Sequence, residues 1–280
     1  MDIVRKGEEE NKLSVIIPVF NCKTINRAIE SIPESEQIEI LVIDGKSDQA
    51  TIEVINQYSD RINVFVSEKD KGLYDAMNKG VQMASGEWIL TLAADDQLIC
   101  NPLEILKERY DGSSDLICGG LIAKDFRDRY FIFSPNPNLE KLLQECSVWH
   151  PGTFFRKRVY QKYGLYNLQY RCGADREFFL RLYKRGAAFQ IIPDLITYFT
   201  YGGISTKSPL IAYREDLKIS DQYGISRFES RKHYIIRTMK YYGAKGKDFL
   251  NLPHKTLFMN KEQLSIYLKD HPEVIHKRFI

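Results

Sequence analysis

The chain has 280 residues, 44% hydrophobic and 28% charged, a mixture that suits one large globular domain or two ordinary ones and excludes disorder and collagen-like repeats. Lysine and arginine total 40 against 37 acidic residues, and the net charge of +3 offers no broad basic field for nucleic acid. No apolar run approaches the ~18 to 20 residues that span a bilayer, and Met1 to Lys12 is charged, unlike the apolar core of a signal peptide, so a cytoplasmic location is expected.

Short β-branched runs at Leu13–Ile17, Ile38–Ile43, Ile62–Val66 and Trp88–Leu92 predict four strands. Between them, Ile25, Ala28, Ile29 and Ile32 recur at helical spacing after the possible cap Asn21, and Ala76, Met77, Gly80, Val81 and Ala84 do so after Gly72, with Ser85-Gly86 as a stop. This alternation predicts βαβ units and a doubly wound, mostly parallel sheet with helices on both faces. Past residue 100 the pattern loosens: Leu116–Ala123 and Tyr130–Phe133 read as strands, with a turn at Asp125 to Asp128 and loops marked by Pro135, Pro137 and Pro151. A helix is expected over Asp175–Lys184, stopped by Gly186, and a basic, aromatic, helical tail follows Gly202-Gly203. The five cysteines (Cys22, Cys100, Cys118, Cys146 and Cys172) are odd in number and form no C-x-x-C pair, which speaks for buried or idle thiols over disulfides or a zinc knuckle.

In an open parallel sheet, ligands bind beyond the carboxyl ends of the strands. The residues there are Pro18-Val19-Phe20-Asn21, Asp44-Gly45-Lys46-Ser47 and Ala94-Asp95-Asp96. Neither a G-x-G-x-x-G turn nor a P-loop is present, so this is not a dinucleotide fingerprint or a Walker site. Carboxylates alone would repel a phosphorylated ligand. A divalent cation, Mn2+ or Mg2+, reconciles the two, held by one or two carboxylates and by the ligand's phosphates; Asp95 and Asp96 are the natural metal pair. The competing reading makes them caps of a helix starting near Pro102.

Taken in order, Ser14 to Asn21, Asp44 with Gly45 and Ser47, Gly72-Leu73-Tyr74-Asp75-Ala76-Met77-Asn78-Lys79-Gly80, Ala84 to Trp88 and Asp95-Asp96 resemble the family 2 glycosyltransferases of the GT-A fold. The Tyr74 to Gly80 stretch is similar to a bacterial branch that builds capsular, exopolysaccharide or lipopolysaccharide chains. The resemblance covers residues 12 to 205, dividing the chain into a transferase domain (1–205, with 12–100 the nucleotide-sugar half and 101–205 the acceptor half) and a helical extension (206–280).

That resemblance implies that Pro18 and Phe20 line the base pocket, that Asp44 contacts the base, that Asp95 binds the ribose or assists the metal, and that Asp96 coordinates it. Three departures stand out: Ala93 replaces the first Asp of the family's D-x-D, the second-strand motif carries one Asp, and Ala76-Met77-Asn78 replaces A-R-N. Lys71 is then a possible substitute basic contact, or a solvated lysine; Asn78 joins the nucleotide-sugar set. Gly173-Ala174-Asp175 resembles the family's Gly-Glu-Asp, making Asp175 the general base, although it also fits a helix cap. His150, in His150-Pro151-Gly152-Thr153-Phe154, falls on the acceptor side, either as a direct contact or as a hydrogen-bonded structural residue. Gly202-Gly203-Ile204-Ser205 matches the branch as a loop over the site.

The implied activity is inverting, single-addition transfer of a sugar from a UDP, GDP or dTDP donor to a hydroxyl of a lipid-linked oligosaccharide. No Q-x-x-R-W motif of processive synthases is present, since neither Trp88 nor Trp149 follows an arginine. A sugar nucleotidyltransferase and an inactive sugar-nucleotide-binding scaffold are the alternatives, the second kept open by Ala93. Basic residues from Arg227 to Lys247, interleaved with Phe228, Tyr234, Ile235, Ile236, Tyr241 and Tyr242, suit either an anionic membrane surface on the inner leaflet or a solvated helix face.

Overall fold

The computed structural model describes residues 13–125, 127–200, 209–249 and 259–271, and in it the β-branched runs become strands of one nine-stranded sheet. Strand β1 (Leu13–Val19), helix α1 (Ile25–Ser31), β2 (Ile38–Asp44), α2 (Gln49–Asn56), β3 (Val64–Ser67), α3 (Leu73–Met83) and β4 (Trp88–Thr91) form the first half. Its four strands run parallel in the order β3-β2-β1-β4. All seven residues of β1 and all seven of β2 are buried, as a sheet covered on both faces demands. Side chains alternate between two layers. Leu13, Val15, Ile17 and Val19 meet Ile25, Ala28 and Ile29 of α1, while Ile16 packs in the opposite layer with Tyr74, Met77 and Val81 of α3.

Beyond β4 come β5 (Gln97–Leu98), α4 (Pro102–Arg109), β6 (Leu116–Lys124), β7 (Tyr130–Phe133), β8 (Thr153–Arg156), α5 (Lys157–Tyr163), α6 (Ala174–Lys184) and β9 (Phe189–Thr200). The sheet continues as β4-β8-β6-β9-β5, with β7 also on β6. Strand β8 is antiparallel to both β4 and β6, and β9 is parallel to β6. The carboxyl end of β9 therefore lies on the same sheet edge as those of β1 to β4.

Several local expectations change. The cap of α1 is Thr24 rather than Asn21; Asn21 has φ 49°, donates its N–H to Ser47 Oγ and accepts from the Asp48 N–H, both at 2.8 Å, so it laces two loops together. Helix α4 is capped by Asn101, whose side chain accepts from the Leu103 N–H at 3.1 Å, and not by Asp95 or Asp96. Strand β3 starts at Val64 instead of Ile62 and continues to Ser67. Strand β9 escaped the sequence reading because Pro193 and Asp194 interrupt its apolar run. The sheet absorbs them as a register shift opposite Cys118 to Gly120, the kind of irregularity at which a strand tolerates proline. All five cysteines are free thiols.

The tail forms α7 (Pro209–Gln222), α8 (Arg227–Phe249) and α9 (Lys261–Asp270). Ile219 of α7 is fully buried in the α3–α6 layer, and Leu264 and Leu268 of α9 pack on Ile122, Tyr130 and Leu195. Among the described residues no helix is long and apolar enough to cross a membrane. The loop Gly202 to Ser205 lies outside the described residues.

One buried carboxylate staples the first half. Glu39 of β2 is 4% exposed and accepts from the Ser14 hydroxyl of β1 and from the N–H and hydroxyl of Ser85 in the turn before β4. The Gly86 N–H joins them, donating to Ser14 Oγ at 2.8 Å. A Cβ on Gly86 would stand 2.7 Å from the Ser14 backbone nitrogen. Gly86→Ala is therefore expected to destabilise the protein by about 1–3 kcal/mol through overpacking against main chain that cannot move aside. Urea unfolding at neutral pH measures this, and unchanged stability would show that the turn has room.

Candidate active site

Three strand ends and the first turn of α3 converge on the shared edge. At the end of β2, Asp44 is 1% exposed, accepts the Ser47 N–H at 3.1 Å and takes the Ser67 hydroxyl of β3 at 2.6 Å. It fixes the Gly45 to Ser47 loop, and a carboxylate's four or so lone-pair sites leave it capacity beyond these bonds. Pro18 is buried in β1, in register with Ile43 of β2; Phe20, just past the strand, exposes 64% of its surface. A bare aromatic ring at a strand end offers a stacking face for a planar ligand.

Asp95 and Asp96 sit in the turn between β4 and β5. Asp96 is fully buried. Its Oδ1 accepts the Thr200 N–H of β9 at 3.0 Å, whereas Oδ2 is buried with no hydrogen-bond partner. Burial, and secondarily the neighbouring Asp95 charge, hold the Asp96 carboxyl well above the usual carboxylate range. A buried carboxylate oxygen left unmatched is a costly arrangement and fits a hard divalent cation. Among the described residues no group of three or more His, Cys, Asp or Glu side chains could hold a metal on its own. A cation here would need oxygens from a ligand, which is how Mg2+ is commonly bound at phosphate sites.

Helix α3 carries this edge toward the second half of the chain. It opens at Gly72, where φ is +114°, a conformation that L side chains rarely adopt. Tyr74 and Asn78, one turn apart, share a face. The Tyr74 hydroxyl lies 3.0 Å from both the Cys172 carbonyl and Asp175 Oδ1. The Asn78 amide both donates to the Tyr166 carbonyl (3.0 Å) and accepts its N–H (2.9 Å). Asn78 thus clamps the backbone before α6 with one of its two N–H groups and its carbonyl oxygen.

Asp175 lies inside α6, one residue past its start, and the cap position is Gly173, so the simple capping alternative does not describe it. It is half-buried. Oδ1 also accepts its neighbour's N–H, from Arg176, at 2.8 Å; Oδ2 makes no hydrogen bond to the described residues. Burial raises its pKa, against the lowering effect of the Arg176 N–H and Tyr74 bonds. From α7, Glu215 accepts the N–H groups of Arg171, Cys172 and Gly173, each at 2.8 Å, and sets the segment that leads into Asp175.

Other expected site residues fall elsewhere. His150 is buried against Phe155, Tyr166 and Phe179, and burial pulls its pKa down to about 4. It is a neutral imidazole at pH 7, 2.6 Å from the Tyr166 hydroxyl, which in turn lies 2.8 Å from that of Tyr160. The structure gives it a core role in place of a direct acceptor contact. The Lys71 side chain is exposed, and its N–H donates to Asp75 Oδ2 at 3.0 Å. Glu177, two positions past Asp175, is matched by Arg181 at 2.9 Å and by the Tyr223 hydroxyl. Sequence reasoning missed Tyr74 as a partner of Asp175, Ser67, Thr200 and Glu215. Tyr74 stood within the quoted motif, but no local signal connects Glu215 to a loop 42–44 residues earlier.

Comparison with known proteins adds to this geometry. The model for Glycosyl transferase family 2 matches residues 14–183. A Mycobacterium bovis "PGL/p-HBAD biosynthesis glycosyltransferase" is 29% identical over 223 residues, spanning 76% of this chain and 86% of the relative. A Methanococcus voltae "dolichyl N-acetyl-alpha-D-glucosaminyl phosphate 3-beta-D-2,3-diacetamido-2,3-dideoxy-beta-D-glucuronosyltransferase" is 27% identical over 222 residues, 69% of this chain and 68% of the relative. Among solved structures, residues 1–349 of Staphylococcus aureus TarS in complex with UDP-GlcNAc align with a TM-score of 0.56 at 18% identity, over 74% of this chain and 65% of that one; of the longer TarS chain only 39% is covered. The Pyrobaculum calidifontis mannosyltransferase PcManGT, in complex with GDP-Man and Mn2+, aligns with a TM-score of 0.57 at 11% identity, over 97% and 82%. These structural likenesses show a shared GT-A-like α/β fold. The family match spans more than half of the chain and takes in β1 to α6, the elements that carry Asp44, Asp96 and Asp175; this chain belongs to glycosyl transferase family 2 and is a glycosyltransferase.

Proposed function

We propose that this transferase inverts the anomeric centre, adding a single sugar from a UDP, GDP or dTDP donor to a hydroxyl of a lipid-linked oligosaccharide in surface polysaccharide synthesis. The observation that carries the reading is Asp175: one carboxylate oxygen fixed by Tyr74 and a main-chain N–H, the other unbonded, with a pKa raised by burial. Direct displacement needs a base that takes the acceptor hydroxyl's proton as the new bond forms. Phe20 and Pro18 form the base pocket, with Asp44 offering its remaining lone pairs to the base. Asp96 and Asp95 would hold Mn2+ or Mg2+ together with the donor diphosphate, and a cation bound there would supply charge to offset that building on the departing diphosphate. Complexes of neighbouring structures with UDP-GlcNAc and GDP-Man support a nucleotide-sugar donor, and the Methanococcus voltae relative is named for a dolichyl-linked sugar phosphate.

The tail supports a place at the membrane. On α8, Phe228 (74% exposed), Ile235, Met239 and Tyr242 line one bare stripe, with exposed Arg227, Arg231 and Lys232 beside it. An apolar stripe flanked by cations complements an anionic leaflet.

Three measurements test this reading. Asp175→Asn is expected to lower turnover by about 10² to 10⁴ with donor affinity nearly unchanged. The wild-type rate should fall as pH drops through the raised pKa of Asp175, because protonation removes the base, and the variant should lose that acid limb. More than about a tenth of wild-type turnover, with chemistry limiting, would remove Asp175 from the role. Asp96→Ala, or excess chelator on the wild type, should cost at least about a hundredfold in transfer by a protein whose circular dichroism is unchanged; full activity in EDTA would sink the metal assignment. The double variant Phe228→Ser/Met239→Ser should weaken sedimentation with anionic vesicles about tenfold or more, and equal wild-type binding to neutral and anionic vesicles would contradict the docking surface.

A further inference from the structure

The buried cation beside the catalytic segment is not accounted for by that chemistry. Arg176 follows Asp175 on α6 and is 4% exposed, yet its Nε and Nη1 have no hydrogen-bond partner among the described residues. Among the described residues its one ion pair is long, 3.4 Å from Nε to Asp216 Oδ1 of α7. The other oxygen of Asp216 is taken by Arg237 of α8, whose guanidinium lies over the Tyr213 ring, 4.4 Å from the centroid. Arg176, Asp216, Arg237, Ser230 and His233 line a common cavity of about 20 Å³. Two guanidiniums face one carboxylate in the lining, and the Asp175 carboxylate lies near enough to interact with Asp216.

Desolvated guanidinium N–H groups without acceptors are costly, and planar forks of this kind match phosphate oxygens. A water occupies at least ~10–15 Å³ on this measure, so the cavity admits only one or two oxygen-sized atoms. An oxygen of a terminal phosphate could reach Arg176 while the rest of the group stays at the mouth, where Arg237 is 41% exposed. We infer that the cleft between α6, α7 and α8 is a binding site for a terminal phosphate, distinct from the donor's diphosphate site at Asp96. In the transferase reading above, on which this last step rests, a phosphate held by Arg176 belongs to the acceptor, whose hydroxyl lies at some remove from it, since neighbouring helical residues such as Asp175 and Arg176 point in different directions.

Binding is measured on the full chain without reference to turnover. Sodium phosphate is titrated in EDTA, with sodium chloride matching ionic strength, by calorimetry and thermal shift. The wild type should show saturable stabilisation beyond that of chloride. Arg237→Gln, a partly exposed substitution compatible with folding, should weaken phosphate about tenfold or more, and Arg176→Lys, which keeps the charge but not the fork, should do the same. Asp96→Asn should leave phosphate binding unchanged, which separates this site from the donor site. Vesicles containing phosphatidic acid, compared with phosphatidylserine at equal surface charge, identify the source: Arg237-dependent preference for phosphatidic acid, competed by inorganic phosphate, means a lipid headgroup, and phosphate binding without that preference means a soluble phosphate. A wild-type response no greater than that to chloride, or equal responses in wild type and Arg237→Gln, overturns the site. Loss of transfer in Asp175→Asn with phosphate binding intact leaves the two proposals separately decided.

Discussion

A carboxylate taken out of water must be met by donors or by a cation, and that requirement organises this protein from its first strand to its tail. Glu39 is met by Ser14, Ser85 and Gly86 and so joins β1, β2 and the approach to β4. Asp44 is met by Ser47 and Ser67 and shapes the loop after β2. Glu215 is met by three consecutive N–H groups and secures the approach to α6. Each directs both carboxylate oxygens to donors of the protein, Asp44 with lone pairs to spare. Asp96 and Asp175 differ, because each commits one oxygen to the protein and leaves the other without a hydrogen-bond partner among the described residues. Asp194, also buried, is balanced by the Arg109 guanidinium at 2.9 Å.

The half-met carboxylates reach the same edge by different routes. Asp96 follows a buried parallel strand and leans on β9 through Thr200, while Asp175 belongs to α6 and is held by Tyr74 of α3. Helix α3 therefore links the first half of the sheet to the segment around α6, Tyr74 through the carboxylate and Asn78 through the Tyr166 backbone. The loss of a basic residue at Met77 relative to the family pattern falls on the core face, since Met77 is 5% exposed. Beneath Asn78's anchor, His150 sits with Tyr160, Tyr166 and Phe178 in an aromatic cluster whose nearest pair, Tyr166 and Phe178, is 4.8 Å apart. Burial keeps that histidine neutral, so it adds no charge to the site.

The tail is tied to the segment around Asp175 through α7. Helix α7 presents Glu215 and Asp216 side by side, the first to the main chain before Asp175 and the second to Arg176. Helix α8 turns Arg237 inward and an apolar stripe outward. Two faces of one helix thus serve different surroundings, as the 3.6-residue period allows.

Sequence alone determined the four parallel strands, the helices after Gly72 and near Asp175, and the acidic residues at strand ends, because buried strands and amphipathic helices leave short-range periodic signals. The ordered motifs also pointed to the family. Only the tertiary structure decided what each polar group does. It gave Asn78 and His150 to the core, added β9 across a proline-bearing register shift, and brought Glu215 to the loop before Asp175. The reason is physical: a period of two or 3.6 residues is written locally, whereas the partner that satisfies a buried donor or acceptor is chosen by packing between segments far apart in the chain.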